Sequence, residues 1–148
     1  MDQNLKNLPL SEILDIDKLN NVDKPIEVAN GLPNECYTNA SYLAHEREKI
    51  FFNKWTVVGV GSSIPNLGDA KPYNLLGIPL ILIRDKEMKI RVFHNVCSHR
   101  GFKLLDKACK LKNVIRCPYH SWSYDFKGNL VATPHIGGLN NHQHQKFD

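Results

Sequence analysis

The sequence predicts a mainly β chain: small antiparallel sheets, one helix ahead of them, and two short loops meeting at one tip. Three observations lead there. From Trp55 to Thr133, β-branched and aromatic runs alternate with Gly, Pro, Asn and Asp, the punctuation of short strands and hairpins. Ahead of them, Thr38 to Lys54 carries a helical pattern with capping residues at its start. Two strand ends run into Cys97-Ser-His99 and Cys117-Pro-Tyr-His120, each placing one thiol and one imidazole on a tight loop.

Residues 1–36 are weakly patterned and read as an extended N-terminal arm. Within it Leu8, Leu10, Ile13 and Leu14 suggest a short helix with Ser11 as cap, and Pro25, Gly31 and Pro33 interrupt the rest of the arm. Residues 37–54 form the helix, capped by Thr38 or Asn39, with Leu43, Ile50 and Phe51 on the face that packs on the domain. His45 lies on its surface.

Residues 55–135 make the β domain. Trp55–Val60 is a β-branched strand, and Ile64–Asn74 is a loop with at most a short strand, because Pro65, Gly68 and Pro72 break it. Ile78–Arg84 is a strong strand whose Pro79 places its start at an edge. A turn at Asp85–Lys89 returns the chain as Ile90–Val96, which delivers Cys97. Leu111–Arg116 delivers Cys117, and Trp122–Phe126 pairs with Asn129–Thr133 across a Lys127-Gly128 turn. Residues 136–148 are a C-terminal tail.

Composition narrows the function classes. The 148 residues fit one domain, and a hydrophobic fraction of 42% permits a sizeable core. A net charge of +4, with no basic stripe interleaved with aromatics, does not suit nucleic acid. No apolar run nears the ~20 residues of a membrane span, and the N-terminus lacks the apolar core of a signal peptide. Four cysteines in so long a chain are no disulfide framework. Cys36 and Cys109 read as free structural thiols, and the expected compartment is the cytoplasm.

The two Cys/His loops carry the chemistry. Seventeen residues, Arg100 to Arg116, separate them. Structural zinc sites usually pair Cys with Cys and His with His, whereas here each loop supplies one of each. That suits a binuclear cluster with Cys97 and Cys117 on one iron and His99 and His120 on the other, the Rieske [2Fe–2S] arrangement. A mononuclear zinc site, and two buried cysteines with incidental histidines, stand beside it as alternatives. Around the ligands, Ser98 and Ser121 are candidate hydrogen-bond donors to the cluster. Gly101 lets the chain approach it, Pro118 restricts the second turn, and Trp122 either shields the cluster or packs in the core. Lys103, Lys107, Lys110, Lys112 and Arg116 are either a solvated face or a patch that steers an acidic electron donor.

Phe93-His-Asn-Val-Cys-Ser-His-Arg-Gly101 and Cys117-Pro-Tyr-His-Ser-Trp-Ser-Tyr-Asp-Phe-Lys-Gly-Asn-Leu130 resemble the signature of Rieske non-haem iron (aromatic-ring-hydroxylating) oxygenases, in their large (alpha) subunit. Tyr37–Trp55 resembles the segment that precedes the Rieske domain there, which stand-alone Rieske ferredoxins usually lack. The resemblance implies a Rieske-type sandwich with cluster loops at one tip, plus the N-terminal helix. It implies a [2Fe–2S] cluster held by Cys97, His99, Cys117 and His120, with Ser98, Arg100, Gly101, Pro118, Ser121 and Trp122 around it. That family usually has Gly where this chain has Ser121, and often Pro where it has Ser98.

Respiratory-type Rieske proteins, by the same resemblance, carry a disulfide between positions that here hold Phe102 and Tyr119, which points away from the quinol-oxidising class. The implied function is one-electron transfer. The donor is a reductase or ferredoxin, and the acceptor is an oxygenase catalytic domain of the same or a neighbouring subunit. A stand-alone ferredoxin is the alternative. The sequence ends at Asp148, where such subunits continue into the catalytic domain, so no hydroxylation is expected of this chain alone. His142 and His144 lack the carboxylate that a second iron site needs.

Overall fold

The computed structural model describes residues 8–134 and residue 136, which fall into two compact units parting between Val57 and Val58. Mainly β architecture is what the sequence predicts and what the chain adopts.

The first unit is helical rather than extended. Helix α1 (Leu10–Ile13) starts after Pro9, so Ser11 lies inside it instead of capping it. Helix α2 (Ile16–Asn20) is capped by Asp15, whose carboxylate accepts from the N–H groups of Asp17 and Lys18 at 3.0 and 3.3 Å. The expected 37–54 helix is broken. Helix α3 (Glu35–Thr38) ends at Asn39, where ψ of 121° leaves the helical region. Asn39 then caps α4 (Ala40–Glu46), its side chain accepting from Ser41 N at 2.8 Å and Tyr42 N at 3.2 Å. The chain continues as a π-helical turn, Arg47–Phe51.

That wider turn shifts the side-chain register, so Ile50 and Phe51 do not extend the stripe begun by Leu43. Leu43 and Ile50 are about half exposed, and Ala44 is the buried residue of α4. His45 is partly buried, its Nε2 meeting the Leu8 carbonyl. The Tyr42 hydroxyl is pushed up to about 12, first by its hydrogen bond to Cys36 and then by burial.

The second unit holds two sheets. One has the order β3-β2-β1-β4, from β1 (Asp69–Leu75), β2 (Ile78–Arg84), β3 (Ile90–His94) and β4 (Cys109–Lys110). The other has the order β5-β6-β7, from β5 (Ile115–Arg116), β6 (Ser123–Tyr124) and β7 (Leu130–Ala132). All pairings are antiparallel.

Four sequence expectations change here. Trp55–Val60 is not a strand: it has no partner among the described residues, and Trp55 and Val57 stay exposed. Val58–Val60 instead lies against Leu82, where a Cβ at Gly59 would come within 3.1 Å of Leu82 Cδ2. The broken stretch before Leu75 is a full strand; its Pro72 stands beyond the end of β4, so its missing N–H faces no partner on that side. Strand β2 is central despite Pro79, because the proline sits near its start and its carbonyl accepts from Asn95 N at 2.8 Å. Of the expected strand 111–116 only β5 forms, because the chain crosses from the sheet of β4, which ends at Lys110, to the other sheet over residues 111–114.

Between the sheets, Ala70, Ile81, Ile83, Ile115 and Phe126 form the core. A second buried cluster, Cys97, Cys117, Trp122 and Leu130, adjoins it, and Leu104 and Tyr124 pack on both. Removing these apolar groups from water is the main force holding the loops' stems together.

The β2–β3 turn is fixed by Asp85, only 1% exposed, which accepts from Glu87 N, Lys89 N and Arg91 Nε at 2.9, 2.8 and 2.6 Å. Burial alone raises its pKa; Arg91 and the two N–H groups outweigh that and hold it below the ordinary 3.8. A depressed carboxyl contributes stability that is present above the unfolded value and lost as pH falls through the folded one. The urea midpoint should therefore fall as pH drops below about 4. In Asp85→Asn, that part of the fall should be missing.

Candidate functional site

The two Cys/His loops are built alike. In the first, Cys97 N donates to Phe102 O at 2.8 Å and Gly101 N donates to Cys97 O at 2.9 Å. In the second, Cys117 N donates to Trp122 O at 2.8 Å and Ser121 N donates to Cys117 O at 3.0 Å. Each cysteine thus starts a closed turn whose fifth residue is left-handed: φ is 67° at Gly101 and 61° at Ser121.

Glycine reaches that region without a Cβ penalty; serine does not. An L residue there costs roughly 1–2 kcal/mol, and glycine's greater unfolded-state freedom returns roughly 0.5–1 kcal/mol. Ser121→Gly should therefore raise stability by up to about 1 kcal/mol, seen as a higher denaturant midpoint at unchanged m. A lower midpoint would mean that the serine hydroxyl matters more than the backbone.

The loops bring the four predicted ligand residues to one end of the core. Cys97 and Cys117 are each 2% exposed, share one buried cluster and form no disulfide. The rings of His99 and His120 lie 4.9 Å apart, edge to face. Trp122, also 2% exposed, stacks on His99 at 4.6 Å and 11°, so it both packs in the core and shields that imidazole. Tyr119 lies 3.7 Å from His120 and 5.3 Å from Phe102, centre to centre. Arg100 and Pro118 are exposed beside them. His142 and His144 lie outside the described residues.

Two residues that sequence reasoning missed position this site. Tyr124, on β6, places its hydroxyl 3.3 Å from Cys97 Sγ, 3.0 Å from Ser98 N and 2.9 Å from Ser98 Oγ. Burial and the neighbouring Cys97 raise its pKa, so the phenol keeps its proton. Since Ser98 N–H can only donate, the phenol oxygen accepts from it, and its own proton is available to the sulfur.

Asn95, 1% exposed, accepts from Leu104 N at 3.0 Å and Leu105 N at 2.8 Å, and donates to Leu105 O at 2.6 Å. It ties the exit of the first loop to its entry. The only sequence signals are position: Asn95 lies two residues before Cys97, and Tyr124 seven after Cys117.

The donor set fits a binuclear cluster better than one ion. A single zinc draws three or four protein ligands around one point. Here each loop supplies one thiol and one imidazole, two of each in all. A [2Fe–2S] centre needs two donors on each of two irons. Among the described residues, no helix is long and apolar enough to cross a membrane.

Comparison with known proteins agrees with this geometry. Residues 54–143 match the family model of the Rieske [2Fe–2S] domain. The chain is 38% identical over 100 residues to the carnitine monooxygenase oxygenase subunit of Escherichia coli (strain K12), covering 68% of this chain and 27% of that protein. It is 32% identical over 117 residues to the chloroplastic choline monooxygenase of Arabidopsis thaliana, covering 79% and 28%.

Among solved structures, a quaternary ammonium Rieske monooxygenase in complex with gamma-butyrobetaine superposes with a TM-score of 0.69 at 34% identity, covering 90% of this chain and 37% of that one. Naphthalene 1,2-dioxygenase from Rhodococcus sp. superposes at 0.60 with 32% identity, covering 68% and 23%. The chain therefore spans only 23% to 37% of the length of these relatives. On the family model and on these identities, the chain belongs to the Rieske [2Fe–2S] domain family, alongside the large subunits of Rieske oxygenases.

Proposed function

We propose that Cys97 and Cys117 bind one iron through thiolate sulfur, that His99 and His120 bind the other through neutral imidazole nitrogen, and that this chain relays single electrons. The observation that carries the reading is the matched pair of loops, which delivers two buried thiols and two adjacent imidazoles to one end of the core. Bound there, the cluster takes up and returns one electron at a potential within about −150 to +300 mV.

The chain's own residues set the conditions. Trp122 excludes water beside His99. Asn95 holds the first loop closed. Tyr124 offers its proton to Cys97 Sγ, a bond that strengthens as negative charge builds on the sulfur. The electron donor is a reductase or ferredoxin. The acceptor is an oxygenase catalytic domain, of the same or a neighbouring subunit.

The direct test is metal and sulfide analysis. Two irons and two acid-labile sulfides per chain, with the rhombic EPR signal of a reduced Rieske centre, are expected. One zinc and no sulfide would overturn the assignment. Tyr124→Phe should leave that stoichiometry unchanged and lower the midpoint potential by about 60 mV, the equivalent of ~1.4 kcal/mol of lost preference for the reduced state. An unchanged potential would mean that the phenol does not reach the sulfur.

A further inference from the structure

Of the chain's asparagines, Asn30 alone is followed by glycine. The pair lies in the stretch between α2 and α3, outside any helix or strand, and both residues are exposed. Several other asparagines have their side chains engaged. Asn39 caps α4, Asn66 donates to Asp69, Asn74 accepts from Gly77 N, and Asn129 donates to Asp125. Among the described residues, no hydrogen bond reaches the Asn30 carboxamide, and the Gly31 N–H has no acceptor. The backbone anchor at this point is Asn30 N, which donates to Asn21 O at 3.1 Å; the next along the chain is Cys36 N, which donates to Pro33 O at 3.0 Å.

A carboxamide carbon is electrophilic, and the main-chain nitrogen of the following residue can reach it by closing a five-membered ring. That reaction is one reason asparagine is a thermolabile residue. Two things ordinarily keep the nitrogen away: the following side chain, and the hydrogen bonds of a regular element. Neither operates here. Glycine has no Cβ, the Gly31 N–H is held by nothing, and even a Cβ built on Gly31 would meet no atom within 4 Å.

We propose that Asn30-Gly31 is a self-modifying site, at which the Gly31 main-chain nitrogen displaces ammonia from the Asn30 carboxamide and hydrolysis leaves aspartate or isoaspartate. The Gly31 amide gives its proton to solvent as its nitrogen bonds to Asn30 Cγ. The Cγ–Nδ2 bond breaks, ammonia leaves and a succinimide closes. Water then opens the ring at one of its two carbonyls. One water is consumed and one ammonia released, with no oxidant or reductant.

The product adds a negative charge to an acidic unit. Residues 1–57 hold six Lys and Arg against nine Asp and Glu, so their net charge goes from −3 to −4. Isoaspartate also places its Cβ in the main chain, after the anchor at Asn30 N. The path from that anchor to buried Pro33 then lengthens by one carbon.

The test ages the full chain in warm, mildly alkaline buffer, beside a denatured sample, and maps the peptides by mass spectrometry. In the native chain the peptide holding Asn30 should gain one mass unit and split into two isomers, while a more acidic band grows on isoelectric focusing. Gly31→Ala should slow that gain about tenfold, because its Cβ crowds the attacking nitrogen. The fold accepts this change, since Gly31 is not left-handed and the new Cβ meets nothing. Asn30→Gln should abolish the gain, because a six-membered ring closes far more slowly.

A native chain whose Asn30 peptide keeps its mass overturns the proposal; if the denatured chain reacts meanwhile, the fold protects the pair. Gly31→Ala ageing as fast as the parent overturns it too, as does faster modification at any other asparagine.

Discussion

His120→Cys should lower the midpoint potential by on the order of 100 mV or more, about half the ~250 mV between the bottom of the Rieske range and plant-type ferredoxins because one of two imidazoles is exchanged, or the chain loses its cluster. A neutral imidazole leaves the reducible iron less negative than a thiolate does, so an added electron is easier to accommodate. Exchanging one for the other reverses that advantage. His99→Cys should act in the same direction and cost more cluster, because Trp122 stacks on the flat imidazole and has no ring to meet in a cysteine.

Cys36→Ser and Cys109→Ser provide the contrast. Cys36 bonds to Tyr42, and Cys109 sits on β4 with its thiol pushed up by burial. Neither change should alter the visible spectrum. Bleaching by Cys109→Ser would show that the ligand assignment is wrong. The measurements are potentiometric titration and the absorbance of the purified variants.

Asn95→Ala should destabilise the chain by about 3–5 kcal/mol, since it removes three hydrogen bonds and leaves backbone groups of Leu104 and Leu105 without partners, at roughly 1–3 kcal/mol for each unsatisfied group. That is a large share of the ~5–15 kcal/mol that holds an ordinary domain together. Leu104 packs on both buried clusters, so the loss reaches the site as well as the core. The first loop should open, and the cluster should be lost faster under chelator than in the parent chain. Asn95→Asp keeps the acceptor for Leu104 N and Leu105 N but sets an oxygen against Leu105 O, so it should recover part of the stability and more of it at low pH, where the carboxyl can donate. Chemical denaturation and the rate of bleaching read both effects. If Asn95→Ala denatures like the parent, the first loop is held by its own turn alone.

Much of the site was legible because its chemistry is local in the chain. A cysteine and a histidine two or three residues apart must share a loop, and the mixed pairing on two such loops already favours two irons over one zinc. The β2–β3 hairpin was legible for a similar reason: Ile78–Arg84 and Ile90–His94 are dense in β-branched residues on either side of a short turn.

Other features depended on partners distant in sequence. Trp55–Val60 has the composition of a strand, but a strand also needs a neighbour to take its N–H and C=O groups, and composition does not supply one. Pro72 looked like a breaker and is tolerated because β4 ends before it. The helix over 37–54 split because one Asn39 side chain satisfied a new helix start better than a continuing backbone did.

Tyr124 and Asn95 belong to the site only through hydrogen bonds across 26 to 27 and 9 to 10 residues. Residue types and short spacings by themselves determined the cluster's kind and its four candidate ligands. Only the tertiary structure decided which phenol meets the sulfur and which imidazole Trp122 stacks on, because those depend on how two sheets pack and not on neighbours along the chain.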